Sequence, residues 1–300
     1  MLDSFLLSHH REVVTLGNER HFLAEETFTV VKDLTGVGLD PPDRAILDGT
    51  HSVGDHMALY GLWLRQNLRR IRAQNKGLVN SRLAHIDERL LQVILLNKLI
   101  LQLDCNDPTH RTARSAMGTM IQMDLTLLLC EVRLEQWGRI FNLWKLRGMD
   151  ARDWGMRIAG AAAAAYTLLT LTSRQGSRVF LPTGHEDVYL GIDLFWLERG
   201  RRHAVSVKSV GGQSDPVRAW RVDAPPLNGG GDRVTSDQQA IYRGAQQFAA
   251  SDGRPCIPVL VHVAKPEGGP IRLNQHWGRL TWPDRLLGGT VHQNGLGLAH

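Results

Sequence analysis

Residues Val188 to Val210 read VYLGIDLFWLERGRRHAVSVKSV, and this stretch decides the fold. Two runs rich in β-branched and aromatic residues, Val188 to Leu197 and His203 to Val210, flank the sequence Glu198-Arg199-Gly200-Arg201. A glycine at a turn position between two such runs predicts a β-hairpin. With Arg199 and Gly200 as a two-residue loop, Glu198 opposes Arg201, and stepping back along both strands brings Asp193 opposite Ser206. Side chains alternate along a strand, so Ser206 and Lys208 share one face while Val205 and Val207 take the other. Ile192 and Leu194 are assigned to the opposite, buried side. Asp193, Ser206 and Lys208 then gather into one polar patch. A carboxylate beside an amine near a sheet surface is suited to binding a divalent cation and orienting a water molecule.

Outward from the hairpin the periodicity alternates between helix and strand. Trp154 to Ser173 reads as a helix whose small run, Ala161 to Ala165, allows close packing on a sheet. Arg178 to Leu181 reads as a short strand, Pro182 to Asp187 as a turn, and Gly211 to Arg233, containing DAPP and NGGGD, as a long loop. Ser236, with Gln239 three residues on, is expected to cap the next helix, which turns Ile241, Ala245 and Phe248 to the core. Cys256 to Val263 is an apolar strand, and the order is α-β-β-β-α-β. Before this unit the pattern is helical. Met57, Tyr60, Leu64, Leu68 and Ile71 form an apolar stripe, and further helices are expected over about Leu83 to Leu103 and Ala116 to Leu146. The segment Gly148 to Asp153 is taken as a boundary, giving an all-α domain over 1–150 and an α/β domain over 151–300, since 300 residues fit two domains.

Composition narrows the class. Hydrophobic residues at 43% and charged residues at 22% exclude a disordered chain. The three cysteines, Cys105, Cys130 and Cys256, form no C-x-x-C pair, which suits a reduced compartment. The opening MLDSFLLSHHREVV lacks a basic leader and does not read as a secretory signal. The longest nearly apolar run, Ile158 to Leu171, is 14 residues, short of a membrane span. A cytoplasmic protein with no membrane contact is expected.

The net charge is +5, and the surplus sits in residues 151–300, with 17 basic and 12 acidic side chains, which points to a polyanionic partner. Arg65, Arg69, Arg72 and Lys76 recur on one helical stripe. This stripe serves either as a solvated face paired with the acidic residues 1–64 or as a phosphate contact. Arg218-Ala219-Trp220-Arg221 interleaves cations with an indole, a combination suited to phosphate contact plus base stacking, or to an indole packed back on the sheet. His51, Asp55 and His56 have a spacing that can hold a metal, but loop and capping roles are the stronger expectation. No G-x-x-x-x-G-K-[ST] or G-x-S-x-G motif occurs.

Gly191-Ile192-Asp193, Ser206-Val207-Lys208 and Gln238-x-x-x-Tyr242 on the next helix together resemble the PD-(D/E)XK nuclease superfamily, in particular its RecB-like branch, over about residues 152–263. The resemblance implies a restriction-endonuclease-like core with a mixed central sheet, and Mg²⁺ or Mn²⁺ as cofactor. By the same resemblance Asp193 binds the metal, Val207 lends its backbone carbonyl, and Lys208 orients the attacking water or stabilises phosphate charge. Gln238 and Tyr242 match the accessory pair. Ser206 stands where the family usually has Glu or Asp, and members that share this departure recruit a carboxylate from elsewhere. The candidates are Glu186, Asp187 and Asp223, with Glu186 taken as the metal ligand. The first core helix, where the family often carries a glutamate, has no acid between Arg157 and Ser173.

The expectation is therefore a metal-dependent endodeoxyribonuclease, with DNA preferred over RNA and the helical domain supplying target choice, partner contact or self-association. The alternative is a catalytically inactive nuclease-fold module that binds nucleic acid or a partner protein. In a third reading the helical half is a docking scaffold and the second domain is structural.

Overall fold

The computed structural model describes residues 14, 16, 20–25, 28, 29, 51–74, 84–103, 106–140, 151–211, 217–224, 233–264, 287 and 288. Among them, helices α1 (Val53–Gln74), α2 (Ala84–Ile100), α3 (Arg111–Glu131) and α4 (Ala151–Thr172) precede the sheet. There follow β1 (Ser177–Phe180), α5 (Gly184–Leu190), β2 (Leu194–Glu198), β3 (Arg201–Val210), β4 (Val217–Arg221), α6 (Arg233–Asp252), β5 (Ile257–Ala264) and the two-residue β6 (Leu287–Gly288). The class is α/β with a mixed open sheet in the order β1-β2-β3-β5-β4-β6. Strands β1, β2 and β3 run antiparallel in sequence, β5 joins β3 in parallel, and β4 returns antiparallel to β5.

The hairpin has the register its turn dictates. Glu198 pairs with Arg201 and Leu194 with Val205. The loop residues Arg199 and Gly200 both have positive φ, 49° and 75°, the combination that a two-residue turn needs to follow the twist of its strands. Alternation then splits the sheet. Leu194, Trp196, Val205 and Val207 face α4, and one apolar cluster runs from them through Ala161, Ala162 and Ala165 to the cores of α1, α2 and α3. Phe195, Leu197, Ala204 and Leu260 face the other way, against Ile241, Ala245 and Phe248 of α6. Small residues on α4 let α3 approach closely. Thr126 Oγ1 and Cys130 Sγ, one turn apart, donate to the carbonyls of Ala161 and Ala165, at 3.5 and 3.6 Å.

Four local expectations need correction. The segment 182–190 is not a turn leading into a strand, because Thr183 and Glu186 form a reciprocal capping box that starts α5, and Gly191, at φ 64°, ends it. Within the expected long loop, Val217 and Ala219 bury alternately and pair with β5, so residues 217–221 form β4. Ser236 is exposed inside α6, which already begins at Arg233, so it does not cap that helix. The helix expected to reach Leu146 breaks at Val132, where the Trp137 indole donates to the carbonyls of Leu129 and Val132 at 3.0 and 3.3 Å. Residues 141–150, with most of the expected boundary segment, lie outside the described residues. Among those described, no helix is long and apolar enough to cross a membrane.

Two glycines clamp α5. A Cβ on Gly184 would lie 2.2 Å from Met57 Sδ and 2.9 Å from Val53 Cγ1 of α1. On Gly244 of α6 it would lie 1.9 Å from the Leu190 carbonyl oxygen, a backbone atom that cannot swing aside. Gly244→Ala is therefore expected to lower unfolding free energy by about 1–3 kcal/mol in urea titration, as overpacking does. Gly160→Ala, which meets only ordinary contacts with Gln122, should be neutral or gain up to about 1 kcal/mol from helix propensity. Equal stability of the two variants would refute the clamp.

Candidate active site

Asp193 stands between the αL glycine that ends α5 and the first residue of β2. Its amide donates to Val205 O at 2.9 Å, which extends the hairpin ladder by one residue. Its Oδ2 accepts from the Val207 amide at 2.7 Å and from Ser206 Oγ at 3.2 Å. Lys208 Nζ lies 3.8 Å from the same oxygen, its side chain 34% exposed against 12% for Asp193. Asp193, Ser206 and Lys208 are thus brought together. Val207 meets Asp193 through its backbone N–H, while its side chain belongs to the apolar cluster on the α4 side.

A second carboxylate comes from α5. The Glu186 carboxylate accepts from the Thr183 amide at 2.7 Å within the capping box, and the next residue, Asp187, lies near enough to Asp193 to feel its charge. Asp187 Oδ2 accepts a hydrogen bond from Thr119 Oγ1 of α3. Burial, and then the neighbouring Asp193 charge, push the Asp187 carboxyl up to about 6, against the opposing pull of the Thr119 hydrogen bond and Lys208. Asp187 and Asp193 line one recess with Thr119, Gln122, Thr126 and Pro182. Its volume is about 20 Å³, room for an ion or a water molecule. Two carboxylates whose charges oppose each other, beside an ion-sized recess, fit a hard divalent cation that prefers oxygen ligands. Among the described residues, His, Cys, Asp and Glu form no group of three or more that could hold a metal.

The other expected site residues are spread over three places. Gln238 and Tyr242 sit one turn apart on α6, both half-buried, with Tyr242 packed on the cluster around Ile241 and Ala245. Arg218 is in β4, in the row Lys208, His262, Arg218 that runs across β3, β5 and β4 on the α6 face. Trp220, on that face too, sets its ring edge against His262 at 5.0 Å between centroids. Arg221 alternates to the other face and pairs with the exposed Asp223 at 2.5 Å. Arg65 and Arg69 are exposed on α1, and the Arg72 side chain lies outside the described residues. Asp55 closes a capping interaction with Ser52, Ser52 Oγ donating to Asp55 Oδ2 at 2.6 Å, and His56 is buried in a stack on Tyr60.

Two partners escaped the sequence reading. His262, buried inside an apolar strand, has Nε2 3.1 Å from Asp237 Oδ2 of α6. A lone histidine in the run IPVLVHVA was the available signal. Thr119 carries none, since nothing in its own neighbourhood of sequence points to a residue 68 positions away.

The raised Asp187 carboxyl makes a pH prediction for the metal-free protein. Because the folded pKa, about 6, exceeds the ordinary 3.8, its contribution to stability is full below about pH 4 and is lost as pH rises through about 6. Asp187→Asn removes that loss. Wild-type minus variant unfolding free energy should fall by on the order of 1–3 kcal/mol between pH 4 and pH 7. A difference that stays constant with pH would count against a buried, repelled carboxylate.

Comparison of the chain with protein-family models, with curated proteins and with solved structures gives no match, so the reading of this site rests on its own geometry.

Proposed function

We propose that the protein is a divalent-metal-dependent nuclease that hydrolyses phosphodiester bonds in DNA. The observation that carries this reading is the convergence of Asp187, Asp193 and Lys208 at one end of the sheet beside an ion-sized recess. It is supported by the succession α4, β1, β2, β3, α6, β5, with α5 inserted after β1 and β4 after β3, around a mixed sheet, since the likeness to PD-(D/E)XK nucleases implies an α-β-β-β-α-β order for a restriction-endonuclease-like core. Asp193 and Asp187 would hold Mg²⁺ or Mn²⁺, with the Val207 carbonyl as a further oxygen. When bound, the ion supplies positive charge that stabilises the phosphate and acidifies water.

The chain's own residues do the rest. The Val207 amide and Ser206 hydroxyl both fix Asp193 Oδ2, leaving Oδ1 for the cation. Lys208, one third exposed, reaches solvent from beside that carboxylate, so its ammonium can orient the attacking water and neutralise charge on the scissile phosphate. Gln238 and Tyr242 on α6 steady the lysine or the phosphate from the same face. Arg218, two strands along the same row, is suited to an adjacent phosphate. The helical half, with Arg65 and Arg69 exposed on α1, serves target choice or partner contact.

One observation favours a second reading, in which the fold binds nucleic acid without cutting it. Ser206 is buried and spends its hydroxyl on Asp193, so β3 contributes no carboxylate. The test uses the purified full-length chain on supercoiled plasmid. Nicking with Mn²⁺ or Mg²⁺ should be abolished by EDTA and fall at least about 100-fold in Lys208→Ala. Unchanged cleavage by Lys208→Ala sinks the assignment. Salt-sensitive DNA binding, indifferent to EDTA and to Asp193→Ala, with no cleavage, selects the binding module.

A further inference from the structure

The recess beside Asp193 is not built from the sheet and its hairpin alone. Thr119 reaches it from α3, in the first half of the chain, and is 5% exposed. On α4 the threonines return their proton to the carbonyl one turn back, whereas buried Thr126 of α3 donates across to Ala161 O of α4. Thr167 donates to Ala163 O at 2.9 Å, and on the same helix Thr170 and Thr172 donate to Tyr166 O and Leu168 O, both at 2.8 Å. Thr119, like Thr126, donates away from its own helix, but its acceptor is a side-chain carboxylate, Asp187 Oδ2, rather than a backbone carbonyl.

Its helix is held in register. Thr126 and Cys130, farther along α3, bond to the backbone of α4, and α4 lies directly on the sheet. Asp187 is held equally firmly, because its helix is wedged by Gly184 against α1 and by Gly244 against Leu190. A hydroxyl fixed on one rigid element and a carboxylate fixed on another define one orientation for that carboxylate. Ligand orientation by an outer hydrogen bond is how metal sites set affinity.

We propose that Thr119 is a positioning residue. Its hydroxyl, delivered from the helical half, holds the Asp187 carboxylate where it and Asp193 together take a divalent cation, so the site is shared between the two halves of the chain. The inference rests on the nuclease reading and deepens it. The hydroxyl touches neither the cation nor the substrate; it acts through Asp187.

The test titrates Mn²⁺ alone into the full-length chain and reads free Mn²⁺ by electron paramagnetic resonance. Thr119→Val and Thr119→Ala should weaken binding about 10-fold or more, as loss of an outer partner does. Thr119→Ser, which keeps the hydroxyl, should restore wild-type affinity. Cleavage by Thr119→Ala should recover when Mn²⁺ is raised in proportion, a rescue that a misfolded variant would not give. Thr119→Ala only removes atoms, so it decides the matter if the valine variant does not fold. Wild-type Mn²⁺ affinity in Thr119→Ala, with binding lost in Asp187→Asn, would overturn this inference and leave the nuclease reading standing. No Mn²⁺ binding by the wild type, or undiminished binding by both Asp187→Asn and Asp193→Asn, would overturn both.

Discussion

The seven-residue helix α5 packs closely because two glycines leave no Cβ between it and its neighbours. At its start Gly184 lies against Met57 and Val53, and at its end the Leu190 carbonyl lies where a side chain on Gly244 would have to go. Those contacts fix where the helix sits. Its capping box fixes where it begins, and Gly191, in the left-handed region, fixes where the chain turns out of it. Both acids of the candidate site descend from this placement. Asp187 is on the helix, and Asp193 follows two residues after the glycine that ends it.

The hairpin supplies the other half of the constraint. A two-residue loop with both residues at positive φ admits one register, and a slip by one residue would send Ser206 and Lys208 to the α4 side and Val207 to the α6 side. Apolar burial on both faces makes that slip costly. Asp193 reinforces the register, because its amide bonds to Val205 and its carboxylate to Val207 and Ser206, so β2 and β3 are tied at the open end of the ladder as well as at the turn. The same bonds place Lys208 beside the acid.

What could be read from the sequence follows the range of the interactions. The hairpin register and the Asp193, Ser206 and Lys208 cluster were legible because strand alternation and a two-residue turn are local rules. The short helix α5 was written in Thr183-x-x-Glu186, a capping signature, but Val188, Tyr189 and Leu190 resemble strand residues and drew the boundary of the next strand too early. Strand β4 was hidden because flanking Pro and Gly clusters outweighed a five-residue alternation. Sequence alone names both Glu186 and Asp187 as ligand candidates and puts Glu186 first. Glu186 and Asp187 are adjacent in sequence, and only the helix shows that Glu186 closes the cap while Asp187 lines the recess with Asp193. The Thr119 contact joins residues on separate helices and leaves no local trace.

Placing the second acid on α5 rather than on β3 changes what the site depends on. A glutamate at position 206 would be held by the hairpin alone, one residue from the lysine. With Ser206 there instead, the hydroxyl holds Asp193, and the second acid beside the recess comes from an element whose position depends on α1, α3 and α6. The cost is electrostatic as well as geometric. Burying Asp187 near Asp193 raises its proton affinity, and Lys208, 3.8 Å from Asp193 and partly in water, offsets the repulsion only in part. The arrangement is therefore more stable with a proton on Asp187 than with both carboxylates charged.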